Sequence, residues 1–366
     1  IISGSSLKLD EGDNLNVTGQ SASVTADALS VGTLNLGGGG IKVTQGADVT
    51  VNGDLDVLDS DLTIQGPGSD VTVAGNARFT PGSRVTISDG GRLLPSELFN
   101  EDGVFRINTT GLDDDDPGVR VTGAGSWLRS GAQQIAIGTT SDAEVEVLDG
   151  GELLTLADII LGGEDSETFG DLLVRGEGSI GFANSIHMFS VGDGVSVLKV
   201  DAGADVTLGN DLHANNSEVV VSGEGTTLDM DNQFMIRGGA DATLEVKDGG
   251  SLIVAAELDD VGAGGTTLIF DSIDPDSLPA SNVLLGGTTV TNDSRVRTVG
   301  DIKIGDQSDG YVLVGSASEL VTLSDVTLGN GANETSGYLA IDDVDSEFGA
   351  NRVVVGANDD GAPSLF

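Results

Sequence analysis

Three stretches of the chain carry nearly the same phrase: RVTISDGGRLL from position 84, EVEVLDGGELL from 144 and TLEVKDGGSLI from 243. In the second, Val145 and Val147 alternate with Glu144 and Glu146. A period of two predicts a strand with one buried face and one wet face. Val85 and Ile87, and Leu244 and Val246, hold the inward places in the other two copies. Asp-Gly-Gly then supplies a turn, because glycine takes positive φ without steric cost and Asp caps its own turn. An apolar pair follows each time: Leu93 and Leu94, Leu153 and Leu154, Leu252 and Ile253. Letters that vary are expected outside, and letters that persist inside.

Other phrases return as well. GPGS at 66, GAGS at 123, GEGS at 176 and GEGT at 223 each follow a short apolar strand. A third phrase is an apolar triplet closed by glycine, as in IAIGT at 135, IILGG at 159, FSVGD at 189, IKIGD at 302 and VTLGN at 206 and 326. Outside the long gap between 209 and 305, successive closing glycines lie roughly 17 to 30 positions apart, often about 24, the spacing expected of solenoid units. No convincing helical face with apolar residues at i, i+3, i+4 and i+7 interrupts them. A sandwich would show hairpins without this recurrence, and propeller blades need four strands over about 40 residues. The pattern therefore predicts an all-β fold, a single-stranded right-handed parallel β-helix. Its coils number about 15, stacked at about 4.8 Å into a rod on the order of 70 Å long.

Rhythm divides the chain into N-terminal coils at 1–94, an irregular acidic insertion at 95–120, a repeat-rich solenoid at 121–255, a second irregular stretch at 256–300 and C-terminal coils at 301–366. Insertions of the kind seen at 95–120 and 256–282 project from one face of a solenoid, often the binding face. The opening residues read as mature structure, so a leader and an anchor are expected outside this stretch.

Residues 121–163 resemble the repeat of autotransporter (type V secretion) passengers and PEP-CTERM-associated surface proteins. Gly123, Gly125, Ser126, Trp127, Gly138, Asp149, Gly150 and Gly151 match its pattern. The match returns degraded at 172–209 and 219–264, and faintly at 311–358, with Ile180 and Thr227 near the place of the tryptophan. The resemblance implies a right-handed parallel β-helix exported to a bacterial surface, where members serve as adhesins or stalks.

Composition sets limits on partners. With 59 acidic and 16 basic residues the formal charge is −43, which argues against DNA, RNA or an anionic membrane surface as partner. No run of 18 apolar residues is present to cross a membrane as a helix. The chain has no Cys, so disulfides and thiol chemistry are excluded. Only 4% of residues are aromatic against 38% hydrophobic, which suits a thin aliphatic interior.

Candidate chemistry is sparse. Parallel β-helices host pectin-cleaving hydrolases whose motifs include G-H-G and R-I-K, and the two histidines here, His187 in SIHMF and His213 in DLHAN, lie in neither. His187 is read as a packed or edge residue and His213 as part of an Asn-rich turn. The run Asp113 to Asp116 and the oxygen-rich turns at 163–171 and 305–310 could draw Ca2+, but a solvated loop is the default. GGGG at 37–40 leads into a strand, not a helix, so it does not read as a phosphate loop. Trp127 is read as packing on the neighbouring coil, with sugar stacking as its functional alternative. Lys and Arg are scattered singly, against an anion-binding groove. No catalytic, cofactor or metal residue is assigned.

The expectation is a non-enzymatic, secreted or cell-surface structural or adhesive rod. Its partners would be host, surface or matrix glycans or proteins, and further copies joined end to end. A polysaccharide lyase or hydrolase on the same coil, or a tailspike-like receptor binder, stands as the alternative.

Overall fold

The computed structural model describes residues 2–10, 12–32, 39–95, 104–107, 118–131, 134–163, 168–190, 194–237, 243–254, 267–271, 288–290, 295–298, 301–304, 310–315, 317–329, 337–342 and 345–355. Their regular structure is all β, with no helix among the described residues. The chain forms two compact units, 1–184 and 185–366.

In the first unit one coil consists of three strands, Asp61–Gln65, Asp70–Val73 and Ala77–Phe79. They pair in parallel with the corresponding strands further along the chain, Arg84–Ser88, Arg92–Pro95 and Val104–Ile107. The second unit repeats the plan. There Val197–Asp201, Asp205–Leu208 and Leu212–Asn215 pair with Glu218–Ser222, Thr227–Met230 and Gln233–Arg237. Within each unit the first strands of the coils build one ladder, and second and third strands together build another. The architecture is a parallel β-solenoid, as the recurrence of short strands predicts.

Like residues stack on like. Ile41, Leu62, Val85, Val119 and Val145 occupy one register position on successive first strands, and all are buried. Burying each such side chain contributes about 1.5–3 kcal/mol. The pairs Val145 and Val147, Val85 and Ile87, and Leu244 and Val246 all point inward as expected, each fully buried. The apolar pairs after the turn do not. Leu93, Leu153 and Leu252 are buried, but Leu94 and Leu154 are only half-buried and Ile253 is exposed. Strand geometry sends neighbours to opposite faces, so persistence of a letter does not by itself place it inside.

The described strands close about ten turns, fewer than the 15 coils that the spacing suggests. Two long steps account for part of the difference: Val85 pairs with Val119 and Leu244 with Thr288. Both steps coincide with the breaks in rhythm. Even so, Val104–Ile107 and Thr267–Asp271, which fall in those breaks, are regular rungs that pair on both sides.

The turn after the first strand explains why two phrases recur. Asp89-Gly90-Gly91 and Asp149-Gly150-Gly151 are short turns with two successive left-handed residues, φ 54° and 86° in one and 51° and 86° in the other. Gly66-Pro67-Gly68-Ser69, Gly123-Ala124-Gly125-Ser126 and Gly176-Glu177-Gly178-Ser179 are longer, with their two glycines left-handed. Short and long turns alternate from coil to coil along the first unit, and Ala202, Gly223 and Asp248 open the same alternation in the second. A buried hydroxyl joins each short turn to the long one above it. Ser69 Oγ accepts from Gly46 N at 3.0 Å, Ser126 from Gly90 N at 2.8 Å, Ser179 from Gly150 N at 3.0 Å and Thr226 from Gly203 N at 2.8 Å. Three of these hydroxyls also donate to their own strand, at Gln65, Arg175 and Ser222 carbonyls. None of these four amides is left orphaned.

The other two corners are held differently. Between second and third strands, side chains of Asn and Asp stack: Asn76 Nδ2 donates to Asp54 Oδ1 at 3.3 Å, Asn184 Nδ2 to Asp158 Oδ1 at 2.8 Å and Asn232 Nδ2 to Asp211 Oδ1 at 2.7 Å. At the closing corner, coils approach so closely that a Cβ on Gly170 would lie 2.1 Å from the Ile137 carbonyl oxygen. Gly337 faces Ile304 at the same distance in the second unit.

Candidate functional site

A sheet whose inward positions are filled by aliphatics leaves its chemistry to outward positions, and the second strands of the first unit gather the most varied set. Parallel register sets Asp48 beside Asp70, Asp70 beside Arg92, Arg92 beside Trp127, Trp127 beside Glu152 and Glu152 beside Ile180. In the next outward column Arg129 lies beside Leu154 and Leu154 beside Phe182. Their inward neighbours Val49, Val71, Leu93, Leu128 and Leu153 are all buried, so the outer side chains stand on a rigid base.

Within this face the Arg92 guanidinium lies over the Trp127 ring, with Cζ 5.4 Å from the centroid. A cation over an indole face gains about 0.5–1 kcal/mol at exposed sites. Trp127 therefore does pack on the neighbouring coil, as its place in the repeat predicts, but from outside the barrel and half-buried. Arg92 Nε is 3.9 Å from Asp70 Oδ1, too long for a hydrogen bond, and neither atom has a hydrogen-bond partner among the described residues. Burial pushes the Asp70 carboxyl above the ordinary carboxylate range; Arg92 opposes the shift and Asp48 adds to it. Ile180 adds an exposed aliphatic at the end of the column. An indole, two guanidiniums, carboxylates and aliphatic surface on one flat face suit stacking on, and hydrogen bonding to, an extended polyhydroxylated ligand.

Basic residues are not simply scattered. Several pair across neighbouring rungs: Arg78 with Asp56 at 2.9 Å, Arg120 with Glu146 at 2.7 Å, Arg297 with Glu319 at 2.9 Å and Arg352 with Asp325. Sequence reading missed this because the partners lie more than twenty positions apart. The Arg352 guanidinium, through its hydrogen bond, holds the Asp325 carboxyl below its ordinary range.

Among the residues singled out for Ca2+, Asp113 to Asp116 lie outside the described residues, as do 164–167 in the turn at 163–171 and 305–309 in the turn at 305–310. Among the described residues no three His, Cys, Asp or Glu gather as an ion site. The GGGG stretch runs into the strand Gly40–Thr44, as expected. His187 lies in the strand Ile186–Phe189 and faces outward, half-buried. His213 is not in a turn: it lies in the strand Leu212–Asn215, because Leu212 and Ala214 fill inward places on either side of it. The two imidazoles meet on adjacent rungs, with ring centroids 5.2 Å apart.

Fold and outer face thus define a β-solenoid repeat protein with a decorated sheet face. Comparison of the chain with family models, curated proteins and solved structures gives no significant match.

Proposed function

We propose that the chain is a non-enzymatic structural or adhesive segment of a secreted, cell-surface protein of the autotransporter-passenger or PEP-CTERM-associated kind, built as a right-handed β-helix. The single observation that carries the adhesive reading is the outer face centred on Trp127, with Arg92 over its ring. The ligand class it suits is an uncharged glycan. Sugar rings stack on the indole through their C–H faces, while Asp70, Glu152 and Arg129 offer acceptors and donors. A formal charge of −43 disfavours polyanions, whatever the local arginines contribute.

The test is binding of immobilised neutral and acidic polysaccharides by the intact chain and by its Trp127→Ala variant. Retention on neutral glycans, lost in the variant while the melting curve stays in place, is the expected result. Equal retention of both proteins overturns the assignment of the site. Release of unsaturated sugars during incubation overturns the non-enzymatic reading in favour of a lyase.

A further inference from the structure

We propose that His187 and His213, with Met235 beside them, form a binding site for a late first-row transition-metal ion such as Cu2+, Ni2+ or Zn2+ on the outer face of the second unit. His187 and His213 are the only histidines in the chain. They occupy the same register position on adjacent strands, and Met235 takes that position on the next rung. Parallel rungs lie about 4.8 Å apart, and the rings meet edge to face at 69°. Ligand nitrogens on one tetrahedral ion sit about 3.3 Å apart, given Zn–N bonds near 2.0 Å. Binding one ion would therefore turn the two rings toward a common point from strands one rung apart.

The base of the site is fixed. Ile186, Met188, Leu212, Ala214, Phe234 and Ile236 all point inward and are buried, so the three outward side chains project from strands that do not shift. A further observation points to a ligand. His213 Nε2 lies 3.0 Å from Gln233 Oε1. An amide oxygen only accepts, so Nε2 carries the proton and Nδ1 presents the lone pair. Gln233 is itself held, its backbone N donating to Asp211 Oδ1 at 3.0 Å. A ring N–H anchored to a fixed acceptor is the arrangement that sets tautomer and orientation in metal-binding histidines.

Donor chemistry selects the ion. Imidazole with a thioether suits copper, nickel and zinc, whereas Ca2+ and Mg2+ need oxygen ligands. The acidic surface raises the local concentration of any cation, so selectivity must come from these nitrogens. An ion held by both histidines would tie two coils together and stabilise the fold by linkage.

The experiment is Cu2+ titration of the intact chain in excess Mg2+, which occupies the oxygen sites, read by electron paramagnetic resonance and calorimetry. One tight copper with hyperfine coupling to two imidazole nitrogens, and a raised melting temperature, is expected. His187→Asn and His213→Asn should each reduce the coupling to one nitrogen. Gln233→Leu should keep both nitrogens but weaken binding by ~10-fold. Metal-free melts of the variants should match the parent, since all three side chains face outward. Copper bound through oxygen alone, or two-nitrogen copper that survives His213→Asn, overturns the proposal.

Discussion

On the second strands of the first unit the outward positions include Trp127, Leu154, Ile180 and Phe182 beside Asp48, Asp70, Arg92 and Glu152, while those of the second unit include Asp205, Thr207, Thr227, Asp229, Ser251, Ile253, Arg295, Arg297 and Glu319. The inward positions scarcely differ: Leu93, Leu128 and Leu153 in one, Val206, Leu228, Leu252 and Val296 in the other, all buried. Burial constrains the interior to aliphatics in both units. The outside is under no such constraint, and there the two units differ. The two units thus offer different surfaces on one backbone plan: aromatic rings stand among the charges on the first, and hydroxyls, carboxylates and arginines surround Ile253 on the second.

The comparison breaks most sharply at the closing corner. Gly170→Ala in the first unit and Gly337→Ala in the second each place a Cβ 2.1 Å from a backbone carbonyl oxygen. Each should cost more than about 4 kcal/mol, and limited proteolysis should cut first within the substituted unit. Next in size come the interior leucines. Leu153→Ala and Leu228→Ala should each lose about 2–5 kcal/mol in urea unfolding; a large inequality would show that the two interiors are not equivalent. The hydroxyl at the long turn is smaller still. Ser179→Ala and Thr226→Val orphan the Gly150 and Gly203 amides, and each should cost about 1–3 kcal/mol.

The smallest effect sharpens the electrostatic side. Burial raises the carboxyls of Asp70 and Asp229 above the ordinary value of 3.8. Their folded forms therefore hold protons more tightly than the unfolded chain does. Stability falls as pH rises from that ordinary value through the raised one, and above it each charged carboxylate is a net cost. Asp70→Asn and Asp229→Asn should raise the melting temperature slightly at neutral pH and leave it unchanged at pH below 3.8. Asp325, whose carboxyl Arg352 holds down, has the opposite sign: its contribution is present above the ordinary value and disappears as pH falls through its lowered one.

Much of this fold is written locally. Val145 against Glu146, or Leu244 against Glu245, announces a strand and its buried face within a few letters. Position across coils is not local. The D-G-G and G-x-G-S phrases look like separate signals until register shows them alternating at one corner, bound through Ser126 or Ser179. The histidine pair was hidden for the same reason. A signal was there to use: Asn184-Ser185-Ile186-His187 and Asn210-Asp211-Leu212-His213 are one phrase written twice. Trp127 was legible as a packing residue, but the guanidinium over it was not, since Arg92 is far away in sequence.

The alternation of turns has a consequence for how such a chain can grow or shrink. Deleting a single coil would set two long turns, or two short ones, against each other. A hydroxyl would then meet no amide, or an amide no hydroxyl. Removing two coils restores the match. Length in this architecture should therefore change in even steps, with parity enforced by a serine or threonine hydroxyl and a glycine amide at every second join.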